Sequence, residues 1–206
     1  MGIAFLVALV LTVIVFVIFG VQHQGTVLAL KVTGRWSFFL FWPAYAGSAM
    51  ARLGGPRFRA FGNNGRKFGL AFASAHLVHV GIVLWLFHIA DKPPLQGGTL
   101  IFFSVGLLCT YMLVLFSLPW AREIIGANLW RILSVFALDY IALVFAADFL
   151  FLPLQEEGFR NYFLSYKYLF LYVPFAILLV VGLGLRTATH CHAKTREGKH
   201  DSMTKL

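Results

Sequence analysis

The sequence predicts an all-α membrane protein that is a bundle of six transmembrane helices. Of the 206 residues, 60% are hydrophobic and 12% are charged, whereas about 25% are charged in a typical soluble domain. The apolar residues form runs close to the roughly 20 residues that a helix needs to cross a bilayer. These runs lack the alternation of polar and apolar residues found in membrane barrels, so we expect helices.

The predicted spans follow one another with turn-forming residues between them. The first lacks a basic segment ahead of its apolar run and is too long for a signal peptide, so we expect a retained helix. The second contains Pro43, which we expect to kink it. Residues 24–33 either extend the first helix or lie at the interface. The six-helix domain covers residues 1–188, and a basic, disordered cytoplasmic tail covers 189–206. The spans are about 2–22, 35–51, 67–90, 98–119, 129–152 and 165–185.

The positions of lysine and arginine predict that both termini are cytoplasmic, because positive residues concentrate on that side of a membrane. Five of the 17 fall on the opposite side. We therefore expect a multi-pass protein of a bacterial inner membrane, with lipid as a partner. The same distribution explains the net charge of +9, so a nucleic acid is not expected. The twelve on the cytoplasmic side are Arg52, Arg57, Arg59, Arg66, Lys67, Arg122, Arg131, Arg186, Lys194, Arg196, Lys199 and Lys205.

Two histidines lie in the middle of the third span, where ionisable groups are costly and mark functional sites. His76 and His79 are three residues apart, which places them on one helix face about 60° apart. Asp139 lies at a similar predicted depth in the fifth span. His88 and Asp148 fall near the outer face, where we expect Asp148 to pair with Arg160 or Lys167.

A haem in a helix bundle takes axial ligands from two facing helices. His76 is the candidate ligand on the third span, with His79 beside it. No other span contains a mid-membrane histidine, so Met112 in the fourth span is the candidate substitute.

Three motifs occur in an order and spacing that resemble the ferric reductase-like transmembrane family. TGRW at 33–36 opens the second span, GRKFGLAFASAHLVHV at 65–80 carries the histidines, and LVLFSLPWAREIIGANLWRIL at 113–133 leads into the fifth span. The resemblance covers roughly residues 30–150. It is nearest to the membrane haem subunit of the periplasmic methionine-sulfoxide reductase system.

The resemblance implies a subunit that transfers electrons through b-type haem, with His76 as a ligand. The family's fifth helix supplies two further histidines, and these positions fall here on Ser134 and on Ala147 or Asp148. The ligand set is therefore degenerate. We expect no flavin or nicotinamide site in this chain. The expected partners are a quinol or separate flavoprotein as donor and a redox partner at the outer face.

Two other functions compete with haem binding. A haem-free scaffold or assembly subunit would use a His–Asp pair to hold helices in register, and a small proton or solute carrier would use His79 and Asp139. Asp139 is also placed to orient a ligating histidine through its second nitrogen. In the tail, His190, Cys191 and His192 form a weaker candidate site for a transition metal.

Overall fold

The computed structural model describes residues 1–151, 153 and 170–203, with side chains as far as Thr189. These residues are almost entirely helical, and no strand occurs among them. The α-helices are α1 (Gly2–Phe19), α2 (His23–Gly54), α3 (Arg59–Asn63), α4 (Gly65–Ile89), α5 (Gly97–Phe116), α6 (Pro119–Ile125), α7 (Ala127–Ala146) and α8 (Val173–Met203). A short 3-10 helix, Gly55–Phe58, follows α2, and a π-helical segment, Ala147–Phe151, follows α7.

Four helical segments are long and apolar enough to cross a membrane: Gly2–Phe19, Gly65–Ile89, Gly97–Phe116 and Ala127–Phe151. A shorter apolar segment, Val173–Thr189, follows them in α8. The outer surface of α1 is strongly apolar, as in a helix that faces lipid. The described chain is thus an all-helical, multi-pass membrane protein. Large exposed side chains of α1 include Ile3, Leu6, Val10, Val13 and Val17.

The observed helices agree best with the predicted spans where the sequence is most apolar. The first, third and fourth predicted spans coincide with α1, α4 and α5 within about three residues, and the fifth coincides with α7 together with the π-helical segment that follows it. The segment 24–33 does not extend the first helix, which was one of its two predicted places, and belongs to α2 because α1 ends at Phe19. Pro43 lies inside α2, which continues past it to Gly54. The backbone of α8 is helical to Met203, where the sequence predicts a disordered tail.

Helix α2 occupies the centre of the bundle. It packs most extensively on α4 and also contacts α1, α3, α7 and α8. Its neighbours are mainly protein, which explains why this 32-residue helix is less apolar than the four segments named above. Helices α5 and α7 form a second packed pair. Helix α4 contacts α5 and so links this pair to the rest of the bundle.

Aromatic side chains fill the core between α2, α7 and α8. Phe38 on α2 lies 5.1 Å from the ring of Phe145 and 5.2 Å from that of Phe149, centroid to centroid, with the ring edges meeting the faces. Aromatic pairs prefer this edge-to-face arrangement. This core fixes α2 against the end of α7 and so sets the position of the polar residues that α2 presents to α4.

Candidate functional site

The two central histidines lie side by side on α4, as their spacing predicts. The ring centroids of His76 and His79 are 5.5 Å apart, and the ring planes differ by 17°. Each ring also meets a different neighbouring helix. His79 faces α2, and His76 faces α5.

A hydrogen bond to α2 fixes the ring of His79. Its Nδ1 lies 3.0 Å from Oγ1 of Thr33. The Thr33 hydroxyl is 2.8 Å from the carbonyl oxygen of Ala29, to which it donates. Nδ1 of His79 is therefore the donor to Thr33, which leaves the lone pair of the neutral ring on Nε2.

Replacing Thr33 with valine is expected to destabilise the bundle, because the buried His79 ring loses its hydrogen bond to the Thr33 hydroxyl. A hydrogen bond of this kind contributes about 0.5–1.5 kcal/mol. Thr12 is the matched control, since its buried hydroxyl donates only to Ala8 of its own helix, at 2.8 Å. Thermal unfolding in detergent measures both variants. Equal losses for Thr33→Val and Thr12→Val would show that the His79 bond contributes nothing.

Aromatic rings enclose His76. The ring centroid of Phe72 is 5.4 Å away and that of Tyr111 on α5 is 6.2 Å away. Nδ1 of His76 and the hydroxyl of Tyr111 are both buried without a hydrogen-bond partner among the described residues. Buried polar groups in native proteins are nearly always paired. These two atoms therefore mark a place for a water molecule or a ligand.

Met112 as a ligand stays a prediction, and the residue of α5 that the structure brings to His76 is its neighbour. Tyr111 is the α5 side chain that meets His76. A helix turns by about 100° per residue, so Met112 points in another direction. The described residues contain no group of three or more His, Cys, Asp or Glu side chains that could hold a metal ion.

Asp139 pairs with an arginine, so its predicted pairing with a histidine is corrected. Oδ1 of Asp139 lies 3.1 Å from Nη2 of Arg186 on α8. Arg186 is the first charged residue after the apolar stretch of α8. Counting residues along the fifth span placed Asp139 at the depth of His76, but a linear count ignores which helix the side chain faces.

Arg186 ties three helices together. Besides Asp139 on α7, its Nη1 donates to the carbonyl oxygen of Tyr45 on α2 at 3.3 Å, and its guanidinium carbon lies 4.4 Å from the centroid of the Tyr45 ring. One turn earlier, Nε1 of Trp42 donates to the carbonyl oxygen of Leu178 at 2.6 Å. These contacts form a polar seam between α2 and α8.

A second cation, Arg35 of α2, is half-buried and lies 5.9 Å from the ring centroid of Phe149, the residue that follows Asp148. Arg35 donates from Nε to the carbonyl oxygen of Leu171 at 2.8 Å, and its guanidinium lies 4.8 Å from the ring centroid of Tyr172. The partners predicted for Asp148, Arg160 and Lys167, lie outside the described residues.

The remaining candidates are peripheral to the His76–His79 pair. The ring of His88 packs on Trp85 in the last turns of α4, with centroids 5.6 Å apart. The side chains of His190, Cys191 and His192 lie outside the described residues, so the predicted tail metal site has no structural counterpart to examine.

Sequence reasoning missed Thr33, Tyr111 and Arg186. The signal for Thr33 was present, because it opens the TGRW motif and puts a hydroxyl inside a helix. Tyr111 lies in an apolar run, where an aromatic residue gives no sign of its partner. The sequence analysis counts Arg186 only among the positive residues that predict a cytoplasmic C-terminus.

Comparison of the chain with protein-family models, with curated proteins and with solved structures finds no match.

Proposed function

We propose that this chain is an integral membrane subunit that transfers electrons through one b-type haem bound at His76. The proposal includes six spans, with both termini on the cytoplasmic side. The observation that carries it is the buried Nδ1 of His76, which has no hydrogen-bond partner among the described residues. An imidazole held in apolar surroundings with a free nitrogen is suited to ligate haem iron.

His76 would hold the haem iron. His79 stacks beside His76 and is itself held by Thr33, so the pair keeps a fixed orientation on α4. When bound, haem would supply a one-electron redox centre. Phe72 and Tyr111 contact the His76 ring and would lie beside the bound group.

The two central histidines lie on one helix with nearly parallel rings, whereas a two-helix haem site takes its ligands from facing helices. We infer that His76 would hold the haem iron and that His79 would support the His76 ring. A quinol or separate flavoprotein would deliver the electron, and a partner at the outer face would accept it.

Purified protein from haem-replete cells is expected to show a Soret band, and His76→Ala is expected to abolish it. His79→Ala should retain part of the band, because that ring supports His76 without being the principal ligand. A visible spectrum and a haem assay per chain measure this result.

His88→Ala is the control, since its ring packs on Trp85 away from the pair. A colourless wild-type protein would remove the haem function. A band that persists in His76→Ala would place the haem elsewhere.

A haem-free scaffold is the second candidate, favoured by the close packing around His76. Three rings lie within 6.2 Å of it, centroid to centroid. A colourless, stable protein whose stability falls in Thr33→Val would support this function. The carrier function relied on Asp139 lying beside His79. Asp139 pairs with Arg186 instead, so its position does not favour the carrier function.

A further inference from the structure

A cavity of about 280 Å³ lies between α2, α4, α5 and α7, apart from the histidine pair. It adjoins a more open cleft of about 450 Å³, and three residues line both: Arg66, Ser117 and Arg122. Phe72 lines the cavity and also packs on His76, so its ring separates the cavity from the imidazole. The two spaces form a chamber with a basic mouth.

The wall of the chamber offers few free polar groups, although three hydroxyl groups line it. Thr110 donates to Gly106, Ser117 to Val114 and Ser134 to Arg131, in each case to a carbonyl oxygen of the preceding turn. These donors are committed to their own helices. The rest of the wall is largely apolar and includes Phe41, Leu70, Leu113, Leu138 and Ile141. Such a wall suits a hydrocarbon chain.

The mouth of the chamber is suited to an anion. Nη2 of Arg66 donates to the carbonyl oxygen of Ser117 at 2.7 Å, which holds the guanidinium at the opening and leaves its other N–H groups available. Arg122 lines the same opening, and Glu123 lines the outer cleft. The two arginines outnumber the single glutamate, so the opening carries a net positive charge. Arginine binds phosphate with two parallel hydrogen bonds.

We propose that this chamber binds an anionic phospholipid, with an acyl chain in the apolar cavity and the phosphate between Arg66 and Arg122. Basic pockets between membrane helices bind lipid head groups in this way. A volume of 280 Å³ lies just below the 300–1,000 Å³ of typical ligand pockets, so it suits one chain better than a large ring system. The lipid site is independent of haem, since it uses neither histidine.

Native mass spectrometry of the full chain in mild detergent tests the site. The probes are phosphatidylglycerol, phosphatidylcholine and inorganic phosphate. We expect the phosphatidylglycerol adduct to be at least fivefold more abundant than the phosphatidylcholine adduct. The double variant Arg66→Gln/Arg122→Gln is expected to lose this preference. Arg57→Gln/Arg59→Gln removes the same charge from two other exposed arginines and should keep it.

A second pair of variants tests the acyl chain. Gly69 lines the chamber, and the nearest atom to an added Cβ is the Cβ of Ala44 at 3.9 Å, so leucine fits there and fills space. Gly81 lies on the same helix with nothing within 4 Å. Gly69→Leu should reduce the phosphatidylglycerol adduct at least fivefold, and Gly81→Leu should leave it unchanged.

Three outcomes would overturn the lipid site. The first is equal binding of the two lipids by the wild-type protein. The second is a full phosphatidylglycerol adduct in Gly69→Leu. The third is displacement of the lipid by millimolar inorganic phosphate, which would show that the mouth binds phosphate without a chain. The unfolding temperatures of all variants identify any loss of binding that misfolding causes. If Gly69→Leu misfolds, the arginine variants decide whether the chamber binds the lipid.

Discussion

Arg186→Ala is expected to destabilise the protein by about 2 kcal/mol, one of the two largest losses among the substitutions considered. The alanine removes the ion pair with Asp139, the hydrogen bond to the Tyr45 carbonyl oxygen and the cation–π contact with the Tyr45 ring. Breaking a fully buried pair costs about 3–5 kcal/mol, whereas an exposed pair contributes about 0–1 kcal/mol. The Arg186 side chain is 14% exposed and that of Asp139 is 48% exposed, which places this pair between the two.

A double-mutant cycle separates the ion pair from the other contacts of Arg186. Asp139→Ala removes only the carboxylate, and the double variant shows whether the two losses are additive. We expect a coupling of about 1 kcal/mol between these two residues, because they are in direct contact. Equilibrium unfolding in mixed detergent micelles measures the four proteins. Additive losses would show that the pair contributes no coupling energy.

Gly25→Ala is expected to have an effect of similar or larger size through steric conflict. A Cβ at Gly25, in the first turn of α2, would overlap the carbonyl oxygen of Gly20, which lies in the turn between α1 and α2. Gly20 has a φ of 78°, in the left-handed region, and its N–H donates to the carbonyl oxygen of Phe16. The turn therefore has little room to adjust. We expect a loss of about 3 kcal/mol, at the upper end of the usual cost of overpacking.

Gly81→Ala is the matched control for the Gly25 substitution. Nothing lies within 4 Å of an added Cβ there, and alanine is the better helix former by about 1 kcal/mol. The control should therefore unfold at a higher temperature than the wild type, and Gly25→Ala at a lower one. A Gly25→Ala protein as stable as the control would mean that the turn adjusts freely.

The sequence predicted the helices well where hydropathy alone decides them. Helices α4, α5 and α7 lie close to their predicted spans because each presents a long apolar surface. Helix α2 was harder to delimit, since protein surrounds it and its composition includes Lys31 and Arg35 inside the helix. Hydropathy measures how well a helix suits a lipid environment. It therefore predicts poorly where a helix begins and ends when that helix has little contact with lipid.

The candidate site was predictable along one helix but not between helices. The spacing of His76 and His79 was sufficient to place both rings on one face of α4. The partners Thr33 and Tyr111 come from other helices, and their approach depends on packing angles that no periodicity encodes. The same reason explains the error on Asp139, whose partner Arg186 is 47 residues away in the sequence.

The central place of α2 bears on how the chain is made. Translation delivers α2 before α4 and α8, which later cover its sides. Until then, Lys31 and Arg35 have no protein around them to offset the cost of entering the bilayer. A nascent chain that stops short of α4 therefore leaves these two cations without the helices that cover α2 in the finished bundle.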